Sequence, residues 1–306
     1  MKGSKHMKKI IKRWIFAFLM LTLLFAFVGC GEKIEVEVDF DAVIAANATD
    51  ALVERFGSVV VEVKDYERSF SYYADSRFVY THSDAYTDYD DYEYPAYGEI
   101  VTDTFCGGYE KEKYYSVVYA GMDVDVAWSE NLIITPEIFE NETLISSREE
   151  NGFIIFKTRL DEAKMIELGY WAESDFEDCY YLTEYKIDKA TNVIYEMEET
   201  FVYGVGILNR STVEYKLNIR AEAPEEASNI YSHITEAAET CKATVVYDPD
   251  TAEEKSFTVT VPKGDILYFY WADAEEYPNA FSDRACTKPF AYTAVANEDI
   301  EIYVTK

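Results

Sequence analysis

The stretch YYLTEYKIDKATNVIYEMEETFVYGVGILNRSTVEYKLNIR, residues 180–220, alternates with a period of two over three segments. One face carries Tyr181, Tyr185 and Ile187, then Val193, Tyr195, Met197 and Phe201, then Val213, Tyr215, Leu217 and Ile219. The other carries Glu184 and Lys186, then Glu196, Glu198 and Thr200, then Glu214, Lys216, Asn218 and Arg220. Side chains of a strand point alternately to its two sides, so the pattern predicts three antiparallel strands with one dry and one wet face. Residues 188–192 and 204–209 supply the turns. The dry face is unusually aromatic. It is either the filled core of the sheet or the lining of a cavity, and alternation alone does not separate the two.

Upstream, residues 41–56 predict a helix, with Asp39 or Asp41 to cap its start and Gly57 to close its end. Residues 58–63 read as a strand and 69–80 as a hairpin turning near 74–76. Further strands are expected over 100–104, 113–120 and 124–128. Residues 144–148 and 152–159 pair through a turn containing Asn151-Gly152, a strong hairpin signal. Residues 161–171 predict a short helix capped by Asp161. Downstream, AEAPEE (221–226) is a Pro-bearing acidic joint, followed by a short helix over 227–240. Strands over 242–247, 255–261, 266–271 and 300–305 then make a second, smaller β unit.

An early helix, a long antiparallel meander with an inserted helix, and the ending YKIDKATNVIYEMEETFVYG…STVEYKLNI resemble the lipoprotein-carrier (LolA/LppX-like) half-barrel of bacterial lipoproteins over residues 39–223. In that family the concave face holds acyl chains and helices form a lid. The resemblance implies that Tyr181, Tyr185, Tyr195, Met197, Phe201, Tyr215 and Leu217 line a cavity for a lipid or lipoprotein ligand. Near the end, FSDRACTKPF (281–290) and EDIEIY (298–303) resemble the internalin-type B repeat, also called the Listeria–Bacteroides repeat. Two departures stand out. Pro278, Asn279, Ala280 and Phe281 occupy the place of the usual Gly-Trp-Tyr, and Val304-Thr305-Lys306 replaces Ala-Lys-Trp. That module is β-grasp-like, and it implies adhesion, spacing or partner binding through residues 241–306, with 224–240 as connector. The expected fold class is α+β and mostly antiparallel β: a curved half-barrel meander with a packed helix, plus a small β-grasp-like C-terminal domain.

The first 29 residues read as a secretory leader. Lys8, Lys9, Lys12 and Arg13 form a basic start, and IFAFLMLTLLFAFV (15–28) is an apolar run too short to span a bilayer. Phe27-Val28-Gly29-Cys30 resembles a bacterial lipobox, with Phe27 where Leu is usual. The resemblance implies that Cys30 is diacylated, that residues 30–38 are a tether, and that the protein sits on the outer face of the bacterial cell membrane. Two acyl chains suffice for stable anchoring. The competing reading is an ordinary leader cut elsewhere, with Cys30 incidental.

The chain carries a net charge of -30, and removing a leader with six cations and no acidic residue leaves -36. Such a surface repels nucleic acid and anionic headgroups. The composition, with 27 Tyr, 18 Phe and only 3 His, suits an exported β-rich protein. An oxidising compartment permits Cys106 to pair with Cys179 and Cys241 with Cys286, or all four to stay buried thiols. Residues 81–98 hold Asp84, Asp88, Asp90, Asp91 and Glu93 among five tyrosines. They lack the central glycine of a helical calcium loop, and they read as a solvated loop or protected edge strand.

The sequence holds no GxSxG, P-loop, HExxH or CxxC, and Gly204-Val205-Gly206 lacks the third glycine of a dinucleotide site. His6, His82 and His233 are too scattered for a metal cluster. No catalysis, cofactor or metal is expected. The expected function is a membrane-anchored, non-enzymatic lipoprotein that binds a lipid or other apolar ligand. The alternative is a surface adhesion or scaffold protein contacting protein or glycan partners through its C-terminal module.

Overall fold

The structure is a computed structural model, and it describes residues 33–65, 69–87, 93–102, 104–121, 132–169, 179–203, 210–271 and 275–306. The leader, Cys30, the expected strand at 124–128, the turn at 204–209 and the central acidic tyrosines (88–92) lie outside the described residues.

Two short helices replace the single one expected over 41–56: α1 (Phe40–Asn47) and α2 (Thr49–Phe56). Asp39 caps α1 by accepting the Ala42 N–H at 3.0 Å. Ala48, at φ -58° and ψ 139°, breaks the helix where Asn47 is drawn into the interior. The Asn47 amide donates to the Val43 and Asn192 carbonyls and accepts the Ile194 N–H at 2.8 Å. Gly57 closes α2 at φ +82°.

The strands in chain order are β1 (Ser58–Lys64), β2 (Ser69–Asp75), β3 (Val79–Ser83), β4 (Tyr86–Thr87), β5 (Glu93–Tyr94), β6 (Tyr97–Val101), β7 (Cys106–Glu110) and β8 (Lys113–Ala120). After α3 (Pro136–Phe139) come β9 (Thr143–Glu150) and β10 (Phe153–Asp161). After α4 (Glu162–Glu167) come β11 (Tyr180–Asp188), β12 (Ile194–Val202) and β13 (Arg210–Ile219). Then follow α5 (Glu225–Thr235), β14 (Thr240–Tyr247), β15 (Lys255–Pro262), β16 (Ile266–Trp271), β17 (Asn279–Phe281), β18 (Thr293–Val295) and β19 (Ile300–Thr305). The hairpin of β9 and β10 turns through Asn151 and Gly152, both at positive φ, as the dipeptide predicts.

Thirteen of the described strands form one sheet in the order β18-β16-β8-β7-β6-β3-β2-β1-β13-β12-β11-β10-β9, antiparallel except for the β8–β16 pair. The fold class is therefore α+β with a mostly antiparallel open sheet. Register shifts at Lys157/Thr158 and Lys186/Ile187 are bulges, which bend the strands that carry them.

The two ends of this sheet are cored on opposite faces. Val59, Val61 and Val63 of β1 pack with Leu217 under Val43 of α1 and Leu52 of α2. One residue out of phase, Tyr73, Tyr80 and Ile100 pair across β2, β3 and β6 and pack under Ala227 and Ile230 of α5. Further along that second face, Val118, Leu267, Phe269 and Trp271 pack against a small sheet of β15, β14, β19 and β17.

The core of this region comes mostly from residues 241–304, with Val118 and Ala120 of β8 added, and β16 ties it to the large sheet. β16 pairs in parallel with β8 from Ile266↔Tyr115 to Trp271↔Ala120, and β18 follows at the sheet's edge. The connector 224–240 is largely α5, lying on β6 and β7. Asp265 joins the parts: it accepts the Ser116 hydroxyl at 2.7 Å, and His233 Nε2 lies 2.7 Å from its other oxygen. The DRACTKPF motif is a turn. Asp283 accepts the N–H groups of Thr287 and Lys288 and the Thr287 hydroxyl, and Phe290 meets Phe269 edge-on at 5.3 Å.

No disulfide joins the described cysteines in the structure. Cys106 on β7 is separated from β11, next to Cys179, by β6, β3, β2, β1, β13 and β12. At ~4.8 Å per strand that is more than ~30 Å along the sheet, far beyond a bridge. Buried Cys241 donates to the Ala296 carbonyl, whereas Cys286 sits in the 283–288 turn with its thiol toward the Arg284 carbonyl.

Candidate functional site

The seven residues expected to line a cavity divide into three groups. Tyr185, Met197 and Leu217 are buried beneath α1 and α3. The Tyr185 ring stacks on Phe156 at 4.8 Å and meets Phe139 at 5.1 Å, and Phe139 meets Phe40 at 4.7 Å. The middle of the dry face is thus filled by aromatic side chains of α1 and α3 laid over it, and these three residues are core.

Tyr195 leaves the row that alternation assigned to it. Ile187 pairs with Ile194 while Lys186 pairs with Glu196, so Tyr195 is the extra residue of the bulge. Its ring meets Phe153 at 6.0 Å, and Lys186 Nζ lies 4.9 Å from the centre of that same Phe153 ring.

Tyr181, Phe201 and Tyr215 are half-buried: Tyr181 and Phe201 lie at one end of the dry face, and Tyr215 stands opposite Met197 in the row of Tyr185. Tyr181 and Phe201 are cross-strand partners with ring centres 4.9 Å apart, and Tyr203 continues the row at 5.4 Å. Tyr215 lies opposite Val63, which lies opposite Phe70, and Tyr72 is one strand step away beside Val61. The Tyr181–Phe201 pair forms a small half-buried aromatic shelf, while Phe70, Tyr72 and Tyr215 pack against the core. Burial is the main cause that pushes the Tyr181 hydroxyl up to about 12, and it raises Tyr72 and Tyr215 too.

Beside the shelf lie two carboxyl groups that the sequence reading passed over. Glu199 sits between Met197 and Phe201 in the dry row, opposite Thr183 on one side and Val213 on the other. Glu142, in the turn before β9, accepts the Tyr185 hydroxyl at 3.0 and 2.9 Å and the Thr158 hydroxyl at 2.6 Å. Burial, aided by the charge of Glu199, raises the Glu142 carboxyl to about 7 against the pull of those hydroxyls; burial raises Glu199 as well. For Glu199 a signal was present in the sequence: at period two it falls on the dry face. For Glu142, a loop residue, there was none.

A trough of about 860 Å³ runs along the same strands, lined by charged side chains together with Phe153, Ile155, Met197 and Tyr215. Glu62, Lys64, Glu184, Lys186, Glu196 and Lys216 line it, with Lys186 bonded to Glu196 at 2.8 Å. Across three neighbouring strands Glu184, Glu198 and Glu214 stand opposite one another, a row of like charges. Among the described residues, then, the concavity along β10–β13 mixes charged and apolar walls, and the middle of the dry face is packed.

No family model matches the chain, and no curated protein matches it. Among solved structures, LprF from Mycobacterium bovis is similar at 12% identity and a TM-score of 0.33, over 61% of this chain and 96% of that one. An uncharacterized conserved protein from Thermus thermophilus is similar at 11% identity and a TM-score of 0.30, over 61% of this chain and 95% of that one. The fold assignment rests on the strand pairing above.

Proposed function

We propose that this protein is a lipid-anchored lipoprotein on the outer face of the bacterial cell membrane that holds an acyl chain or similar apolar group on its aromatic shelf, without enzymatic chemistry. The observation that carries the reading is the shelf itself. Tyr181 and Phe201 are half-buried together at one end of the dry face, outside the core cluster beneath α1 and α3. An apolar ligand laid there removes further aromatic surface from water, at roughly 25 cal/mol per Å². Anchoring rests on the leader and on the lipobox-like residues ending at Cys30.

The test is native mass spectrometry of the chain from Gly31 onward, followed by solvent extraction. A stoichiometric acyl-lipid adduct is expected in the wild type, and its loss is expected in Phe201→Glu and Tyr181→Glu proteins that keep their β-sheet circular dichroism. A clean apo mass with no uptake of a fluorescent fatty acid refutes the reading.

A second reading, surface adhesion, draws on the exposed tyrosines of the C-terminal part. Tyr270 stacks with Tyr119 at 5.9 Å and Tyr292 with Trp271 at 5.3 Å, and both leave an open ring edge for a protein or glycan. Binding to cell-wall glycan that is lost in Tyr270→Ala and Tyr292→Ala supports it.

A further inference from the structure

We propose that the β9 edge of the large sheet, led by Lys33 and Ile34, is the surface that rests against the membrane. The inference depends on lipidation of Cys30 and goes beyond it by assigning an orientation. The described chain begins on the outer side of β9. The Glu35 N–H donates to the Ser147 carbonyl at 3.0 Å, and the Ser147 N–H donates to the Lys33 carbonyl at 3.2 Å. The Ser147 hydroxyl closes the clamp by donating to the Val36 carbonyl and accepting the Val36 N–H at 3.0 Å. Ser147 is buried, so residues 33–36 are held as a parallel stub on that edge.

Only three residue steps separate Cys30 from Lys33, and extended chain covers at most about 3.5 Å per step, so the anchor lies within roughly 10 Å of the clamp. The far end of the sheet, at β18, is twelve strand positions away. A tether this short, fixed at one edge, cannot bring that end and the β9 edge to the bilayer with equal ease.

The chemistry of the edge agrees. Ile34 is 54% exposed, one of the largest exposures of any apolar side chain described, and Lys33 beside it is 77% exposed with its ammonium 3.4 Å from Glu35. An apolar side chain and a cation next to the anchor suit the headgroup layer. The strongly acidic remainder opposes deeper insertion into anionic lipid. The edge therefore stands at headgroup level. Arg148 and Glu150 of β9 also line the charged trough, which places that trough beside the headgroups.

The test uses the full lipidated chain in bilayers containing a headgroup-nitroxide lipid. One protein, Glu149→Cys with Cys286→Ser, carries a thiol-reactive fluorophore on β9; Glu149 pairs with exposed Lys189, so its replacement costs little. A second protein is labelled at native Cys286. Loss of most of the emission at position 149, with emission at 286 retained, is expected. Ten Gly/Ser residues inserted between Cys30 and Lys33 should restore emission at 149. Equal quenching at both positions, or quenching at 149 that survives the longer tether, overturns the orientation while lipidation stands. An intact mass without the diacylglycerol addition on Cys30 overturns lipidation itself, and the orientation with it.

Discussion

Replacing Glu142 by glutamine isolates the buried carboxyl pair on the dry face. In the folded chain Glu142 titrates at about 7 instead of its ordinary 4.5, because burial disfavours its charge and Glu199 stands nearby. The folded state therefore keeps a proton between about pH 4.5 and 7 that the unfolded chain has released. Where the folded state binds more protons, stability falls as pH rises. The destabilisation is absent below about pH 4.5, grows across that window and is complete above 7. A shift of this size corresponds to about 3 kcal/mol at ~1.4 kcal/mol per pH unit.

Glutamine presents the same shape without the charge, and its oxygen still accepts from Thr158 and Tyr185. Urea unfolding followed by tyrosine and tryptophan fluorescence at pH 5, 6, 7 and 8 is the assay. The wild type should lose about 2–3 kcal/mol from the lowest to the highest pH. The variant should lose much less, and it should exceed the wild type by a similar amount at pH 8. A wild type equally stable at pH 5 and pH 8, or a Glu142→Gln protein with an undiminished slope, refutes the assignment of a buried proton to this site.

Three further outcomes follow from the packing. Asn47→Ala should lower stability by about 2–3 kcal/mol in thermal unfolding, because it strands the buried Ile194 N–H and releases the end of α1 from the β11–β12 turn. Asp265→Ala should cost about 2 kcal/mol and speed amide hydrogen exchange in α5, because Ser116 and His233 lose their common acceptor; unchanged exchange there contradicts its role as the joint. In the native chain from Gly31 onward, a thiol reagent should modify Cys286 readily, while Cys106, whose thiol is raised by burial, and Cys241 react only after unfolding. The melting temperature should be the same with and without reductant.

Local signals in the chain determined much of its local structure, though not the break of the 41–56 helix at Ala48. Period-two alternation over 180–220 specified three antiparallel strands and the side of each that is dry, because consecutive side chains of a strand cannot share a face. Asn151-Gly152 marked a hairpin and Gly57 a helix end, because both need backbone angles that few residues adopt. Even the misplaced carboxylate Glu199 was visible as an acid in an apolar row.

Tertiary structure decided whether that dry face is hollow, because the answer lies in residues far away in sequence. Phe40 and Phe139 fill the space over Tyr185, and Glu142 is held in the interior by the hydroxyls of Thr158 and Tyr185 from distant strands. The bulge at Lys186/Ile187 took Tyr195 out of its row, a one-residue slip that no periodicity registers. The pairing of β16 with β8 joins the C-terminal residues to the main sheet. Strand pairing joins backbones through groups that every residue carries, so the partner of an exposed strand edge is set by global packing and leaves little trace in the strand's own sequence.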